Sequence, residues 1–204
     1  MIVIVDYGVG NLSSVSNMLR KAGGEVLISR NPADVLAADK LLLPGVGHFD
    51  HGMKMLNASG LRDAVDQFAL DLRRPVLGIC LGAQILGQGS EEGDVPGLGW
   101  VDMVCRKLPT MPGIRVPHMG WNQIVRKKPS ELLDRMSDDA RFYFVHSYRM
   151  ECTHAEDVLA TAVHGAEFTC AVQRENIMGT QFHPEKSLRH GLALMRSFVE
   201  IQTS

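Results

Sequence analysis

Cys80 stands at the centre of Gly78-Ile79-Cys80-Leu81-Gly82, directly after the apolar run Pro75-Val76-Leu77, and His183-Pro184-Glu185 lies far downstream. A thiol attacks as its thiolate, so a catalytic cysteine needs a base to take its proton and an electropositive setting for the charge. The G-x-C-x-G spacing is the sulfur counterpart of the nucleophile elbow, where a strand turns sharply into a helix and only small residues fit the crowded flanks. Such a turn presents the sulfur at a helix N-terminus, where unpaired N–H groups favour a thiolate and can hold a developing oxyanion. His183 supplies the candidate base. On an extended backbone Glu185 falls on the same face as His183, and Pro184 stiffens the link between them. Together Cys80, His183 and Glu185 read as a cysteine triad.

Taken alone, a cysteine is more often a small packed hydrophobe than a nucleophile. Cys105, Cys152 and Cys170 fit that description: they lack flanking glycines, a C-x-x-C partner and any metal-finger spacing. A lone His-x-Glu pair is, likewise, usually a surface contact, and it gains weight only beside the elbow. The other histidines carry less. His48, Asp50 and His51 imitate a metal cluster but have no distant ligand, and they read as a solvated helix start. His118 and His146 interrupt apolar stretches, where core packing and ligand or partner contact are about equally good readings. No metal and no cofactor is expected.

These residues need a frame to position them. Ile2 to Val5 is a continuous β-branched run, followed by apolar residues at helical spacing through Leu12, Val15, Met18, Leu19 and Ala22. Strands at Glu25–Ser29 and Lys40–Leu43, a short helix at Pro32–Ala38, and a helical pattern through Leu61, Val65, Phe68 and Leu72 continue the alternation up to the strand Val76–Ile79. Strands apolar on both faces and separated by helices imply a mostly parallel sheet flanked by helices. Beyond residue 100 the pattern changes to short strand-like runs, Val101–Leu108, Gln123–Val125, Phe142–Ser147, Val158–Val163, Phe168–Gln173 and Met178–Phe182, which predict an antiparallel or mixed sheet extension. A closing helix is expected from about Arg189 to Ile201.

At 204 residues with 45% hydrophobic content, the chain can bury a substantial core, and a single domain spanning residues 1–204 is expected. A formal charge of -2 argues against partners held by general electrostatics, nucleic acid and membrane surface among them. With no basic leader, no span-length apolar stretch and unpatterned cysteines, a cytoplasmic location is expected.

Two glycine-rich turns follow strands. Gly8-Val9-Gly10-Asn11-Leu12-Ser13 is a degraded dinucleotide fingerprint, with Ser13 at the third glycine position and Arg30, not a carboxylate, after the second strand. A glycine-lined turn or partner contact is the better reading. Pro44-Gly45-Val46-Gly47 also ends a strand, at the carboxyl end where ligands of a parallel sheet gather, and its glycines allow a backbone N–H to face a ligand.

Five segments in order along the chain, Pro44 to Gly47, Gly78 to Gln84, Pro117 to Asn122, Tyr143 to Tyr148 and Gln181 to Ser187, together resemble the class I, or triad, glutamine amidotransferases. Within them the segment His118-Met119-Gly120-Trp121-Asn122 is similar to the glutaminase subunits of imidazole glycerol phosphate synthase. Two positions depart from that branch: Ala83 stands where methionine is usual, and Thr180 where valine is common. The resemblance implies glutamine as substrate, hydrolysed to glutamate and ammonia, and a separate cyclase subunit as heterodimer partner in histidine biosynthesis. It implies an oxyanion hole from Leu81 and the Val46–Gly47 region, and glutamine contacts at Gln84, Glu92, His146, Ser147 and Tyr148. It implies partner contacts at Asn11, His118, Met119, Gly120, Trp121, Asn122 and Lys186. A paralogous branch supplying ammonia to a sugar-amidating enzyme is the first alternative, and a catalytically silent binding module the second.

Overall fold

The computed structural model describes residues 1–202. The apolar runs of the first half form the parallel strands β1 (Ile2–Val5), β2 (Val26–Ser29), β3 (Lys40–Leu43) and β4 (Val76–Ile79). The second half adds β5 (Gly89–Ser90), β6 (Met103–Lys107), β7 (His118–Gln123), β8 (Val125–Arg126), β9 (Arg141–His146), β10 (Tyr148–Cys152), β11 (Val158–His164), β12 (Ala166–Arg174) and β13 (Ile177–Thr180). The α-helices are α1 (Leu12–Lys21), α2 (Pro32–Ala37), α3 (Phe49–Ala58), α4 (Arg62–Asp66), α5 (Leu81–Gln84) and α6 (Leu188–Glu200).

Among the described residues, eleven strands form one mixed sheet, ordered β2-β1-β3-β4-β13-β12-β10-β6-β5, with β11 and β8 branching from β12. β2, β1, β3, β4 and β13 are parallel, and β13 pairs antiparallel with β12, which begins the antiparallel extension. The strands β1, β3, β4 and β13 are buried along their full length, as a sheet covered on both faces requires. Alternation splits their side chains between two cores. Val3, Val5, Leu41 and Leu43 pack under α2, α3 and α4, while Ile2, Ile4, Leu42 and Leu77 pack with α1 and α6. Helix α1 starts at Asn11, whose side-chain oxygen accepts from the Ser14 N–H, and α2 starts likewise at Asn31.

Three expectations need correction. The helix after Cys80 is a single turn, because residues 85–88 curl away to pair with the loop around Leu98 and with Met103. The pattern from Leu61 to Leu72 is a short α4 that widens into a π turn at Gln67–Asp71 rather than one helix. His118–Gln123 is a strand, β7, which pairs antiparallel with β9 in a separate ladder from His118 opposite His146 to Gln123 opposite Arg141.

Candidate active site

The strand β4 ends in a backbone strain. Cys80 has φ 54 and ψ -110, a region side-chain-bearing residues avoid. Its N–H still reaches across to the Thr180 carbonyl of β13 at 2.7 Å, while its own carbonyl already accepts from the Ala83 and Gln84 N–H groups of α5. Ladder thus becomes helix within one residue. The space this turn leaves is too small for side chains: a Cβ on Gly82 would sit 1.9 Å from the Leu43 oxygen, and one on Gly78 2.5 Å from the Gly82 oxygen. The glycines of the G-x-C-x-G spacing are therefore steric requirements. The Leu81 N–H, opening the turn, has no intrahelical acceptor to occupy it.

Directly beside the elbow, the chain leaving β13 carries Gln181, Phe182 and His183. The His183 N–H donates to the Tyr143 carbonyl at 2.9 Å, and Ser187 Oγ donates to the His183 carbonyl at 2.6 Å, so the backbone of the base is held at both ends. The expected extended geometry holds only for His183. Pro184–Lys186 is a 3-10 turn, yet this tighter path still brings Glu185 Oε1 to 2.7 Å from His183 Nδ1. Both side chains are nearly sealed from solvent, at 1% and 3% exposure.

That seal shapes the electrostatics. Burial opposes a charged imidazole, but the Cys80 sulfur and the Glu185 carboxylate outweigh it and raise the His183 pKa from 6.5 to about 9. With Nδ1 engaged by Glu185, Nε2 is the nitrogen left for the sulfur, and it is buried without a well-formed hydrogen bond of its own. The arrangement can deprotonate a thiol, hold an imidazolium beside a thiolate, and return the proton to a leaving group.

Cys80 and His183 open into a cavity of about 570 Å³. Val46, Gly47, Gln84, Glu92, His146, Ser147, Tyr148 and Lys186 line it, and so do Pro117 and Val145, which sequence reasoning did not single out. Both of the latter are direct neighbours of marked motif residues in the Pro117 to Asn122 and Tyr143 to Tyr148 segments. Glu92 is steered by its Oε2, which accepts from the Phe49 N–H at the start of α3 at 2.8 Å. Gly47 has φ +103 with open space around it, so its glycine serves conformation rather than close packing. The Tyr7 hydroxyl donates to the Pro44 carbonyl, and a Cβ on Gly45 would meet the Gly82 nitrogen at 2.6 Å, so this segment is pinned up to Gly45 and opens at Val46.

The residues marked for partner contact divide. Met119 and Trp121 are 62% and 45% exposed on one face of β7, with Gly120 between them. His118 is not at the surface: it is 4% exposed and stacks on Phe144 and His164. Asn122 points inward enough to donate to the Val163 carbonyl at 2.8 Å. Asn11 caps α1, and Lys186 lies over the Tyr143 ring at the cavity rim. The weaker candidates are engaged elsewhere: Arg30, after the second strand, pairs with Asp6 at 2.7 Å, and His48 Nδ1 caps α3 by accepting from the Asp50 N–H.

Comparison with known proteins agrees with this geometry. The family model described as glutamine amidotransferase class-I matches residues 3–201. The chain is 47% identical over 201 residues to the "Imidazole glycerol phosphate synthase subunit HisH 2" of Pseudomonas aeruginosa, covering 98% of this chain and 100% of that one. It is 45% identical over 204 residues to the "Imidazole glycerol phosphate synthase subunit HisH" of Bdellovibrio bacteriovorus, with 98% and 100% covered. Among solved structures, one described as a glutamine amidotransferase superposes with TM-score 0.75 at 20% identity, covering 98% of each chain. The glutaminase domain of Trypanosoma brucei CTPS with bound acivicin superposes with TM-score 0.67 at 17% identity, covering 100% of this chain and 95% of that one. The structural likenesses speak for the fold; the match from residue 3 to residue 201 and the identities over nearly the full length make this protein a member of the class-I glutamine amidotransferase family.

Proposed function

We propose that this chain is the glutaminase subunit of an imidazole glycerol phosphate synthase, acting as a single domain that hydrolyses glutamine and passes ammonia to a separate cyclase subunit. The observation that carries the reading is the strained Cys80 elbow beside the sealed His183–Glu185 pair, in one cavity of small-molecule size. His183 Nε2 takes the thiol proton to form a thiolate–imidazolium pair, and Cys80 Sγ then attacks the side-chain amide carbon of glutamine. The tetrahedral oxyanion is held by the Leu81 N–H and by one from the Val46–Gly47 segment. Collapse expels ammonia, which leaves with the proton from His183, and water attacks the thioester with His183 again as base to give glutamate. Glu185 keeps Nδ1 protonated and supports the imidazolium.

Glu92, Ser147 and Tyr148, along the cavity wall, are assigned to the amino-acid end of glutamine, with Gln84 and His146 lining the wall beside them. The cyclase is assigned to the face carrying Asn11, Met119, Trp121 and Lys186, beside the cavity mouth. No described helix is long and apolar enough to cross a membrane, and all four cysteines are unpaired, which supports a reducing, cytoplasmic setting.

The test separates the two half-reactions. Cys80→Ala is expected to abolish glutamine hydrolysis while the complex with its cyclase still forms product from added ammonium. Wild-type glutaminase activity in that variant would remove Cys80 from the mechanism. A complex that aminates a sugar acceptor and not the cyclase's nucleotide would place the chain on the paralogous branch.

A further inference from the structure

Gln181 has 0% exposure, and its Nε2 lies 3.8 Å from Cys80 Sγ. Its Oε1 accepts from Gln84 Nε2 at 3.0 Å, and the same Gln84 amide donates to the Tyr148 carbonyl at 3.3 Å. One end of this chain fixes its direction. A backbone carbonyl only accepts, so Gln84 must turn its NH2 toward Tyr148. The second hydrogen of that NH2 then meets the oxygen of Gln181, which leaves the Gln181 NH2 facing the sulfur. A donor presented to sulfur favours thiolate over thiol.

The Tyr148 carbonyl is also held by a second donor. His146 Nδ1 approaches it at 2.8 Å and must carry the hydrogen, so His146 Nε2 is the acceptor for His118 Nδ1 at 3.0 Å. By the same logic His118 Nε2 accepts from Asn122 Nδ2 at 3.3 Å, and the other Asn122 hydrogen goes to the Val163 carbonyl. Each ring nitrogen is used once, which demands two neutral imidazoles. Burial lowers the pKa of His118 to about 4 and of His146 to about 3, in agreement with that demand.

We propose that Gln181 is a further catalytic residue, an amide donor to the Cys80 sulfur that is aimed through Gln84 and the Tyr148 carbonyl, with the chain His146–His118–Asn122 anchoring that carbonyl to β7. The inference rests on the proposed role of Cys80 as nucleophile. The other titratable groups around the sulfur are His183, with Glu185 behind it, and the Tyr7 phenol and Cys105 thiol, both of which burial holds protonated. Glu92, His146 and Lys186 share the cavity. Of these neighbours, the Gln181 amide is the one hydrogen-bonded to the sulfur, at 3.8 Å, and His183 is the one that carries charge beside it.

The test is the pH dependence of Cys80 alkylation by iodoacetamide, followed at its own peptide by mass spectrometry, together with glutaminase kinetics of the complex. Gln181→Leu is expected to raise the alkylation midpoint by about one pH unit and to lower kcat roughly ten-fold, with KM for glutamine changed by less than about two-fold. Gln181→Glu, close in size and checked for folding by circular dichroism, should also raise the midpoint, since the oxygen that replaces the NH2 takes the amide donor away from the sulfur. Unchanged midpoints in folded Gln181→Leu and Gln181→Glu proteins would overturn the proposal. A Cys80→Ser protein that hydrolyses glutamine as fast as wild type would instead overturn the nucleophile assignment, while the alkylation midpoint would still report on the Gln181 donor.

Discussion

Replacing Glu185 by alanine separates support of a base from the base itself. In the folded protein the sulfur and the carboxylate move the His183 pKa from 6.5 to about 9 against the opposing effect of burial. That span is roughly 2.5 pH units, or about 3.5 kcal/mol in favour of the imidazolium at about 1.4 kcal/mol per unit, and since burial opposes it the two neighbours supply at least that much. If they share it evenly, the carboxylate contributes about 1.7 kcal/mol, roughly a ten- to twenty-fold effect on any step that builds charge on His183. The alanine variant also releases the tautomer, because among the described residues the 2.7 Å bond with Glu185 is the side-chain hydrogen bond at Nδ1. We therefore expect Glu185→Ala to lower kcat between about ten- and a hundred-fold, against roughly a hundred- to ten-thousand-fold for His183→Ala. The assay is steady-state glutamine hydrolysis by the complete complex, with both variants shown to be folded by circular dichroism. A Glu185→Ala enzyme as fast as wild type, or slower than His183→Ala, would refute the reasoning.

Three further outcomes are expected. Gly82→Ala should destabilise the fold by about 3 kcal/mol or more in urea unfolding, since its Cβ would lie 1.9 Å from the Leu43 oxygen and only backbone could yield; a change within about 0.5 kcal/mol would contradict the close approach. Gly47→Pro removes an N–H from the segment assigned to the oxyanion and also reshapes it, since proline cannot adopt φ +103, and should slow glutamine hydrolysis at least roughly a hundred-fold even with the partner bound; a variant as fast as wild type would take this segment out of the oxyanion hole. Because the folded pKa of His183 is raised, its charged pair stabilises the protein fully below pH 6.5 and loses that contribution as pH rises through about 9. The stability gap between wild type and Glu185→Ala should accordingly narrow over that window in urea titrations at several pH values, and a gap that widened would reverse the sign.

Much of the elbow was legible because its demands are local. Gly78 and Gly82 are excluded from carrying side chains by atoms within the same turn or on the adjoining β3, and that exclusion leaves its mark on five consecutive residues. The alternating β/α half was legible for the same reason, since two-sided burial writes itself into each apolar strand. Contacts that join distant segments were not. Gln181 interrupts the apolar run Ile177 to Phe182, a signal that a buried polar group needs partners, but nothing local names Gln84 or the sulfur as those partners. The alternation along β7 is masked by its motif-like composition, so the sequence leaves core packing and partner contact equally good readings for His118, and the structure decides for packing beside Phe144. The Leu61 to Leu72 pattern kept a helical period through the π turn, whose extra residue per turn the sequence does not mark.

The bond from the Cys80 N–H to the Thr180 carbonyl has a consequence for the life of the chain before it is complete. Nucleophile and base meet only because β13, the last strand, inserts between β4 and β12. Synthesis proceeds from the N-terminus, so the elbow emerges early, while the histidine, its carboxylate and the Gln181 amide emerge near the end. A nascent chain therefore exposes a thiol with no general base and no glutaminase to waste substrate. The same arrangement makes β13 a checkpoint: a fragment that reaches past Cys80 but ends before Ile177 keeps the cysteine yet cannot assemble the chemistry, so a thiol in this protein becomes dangerous to an amide only once β13 has closed beside it.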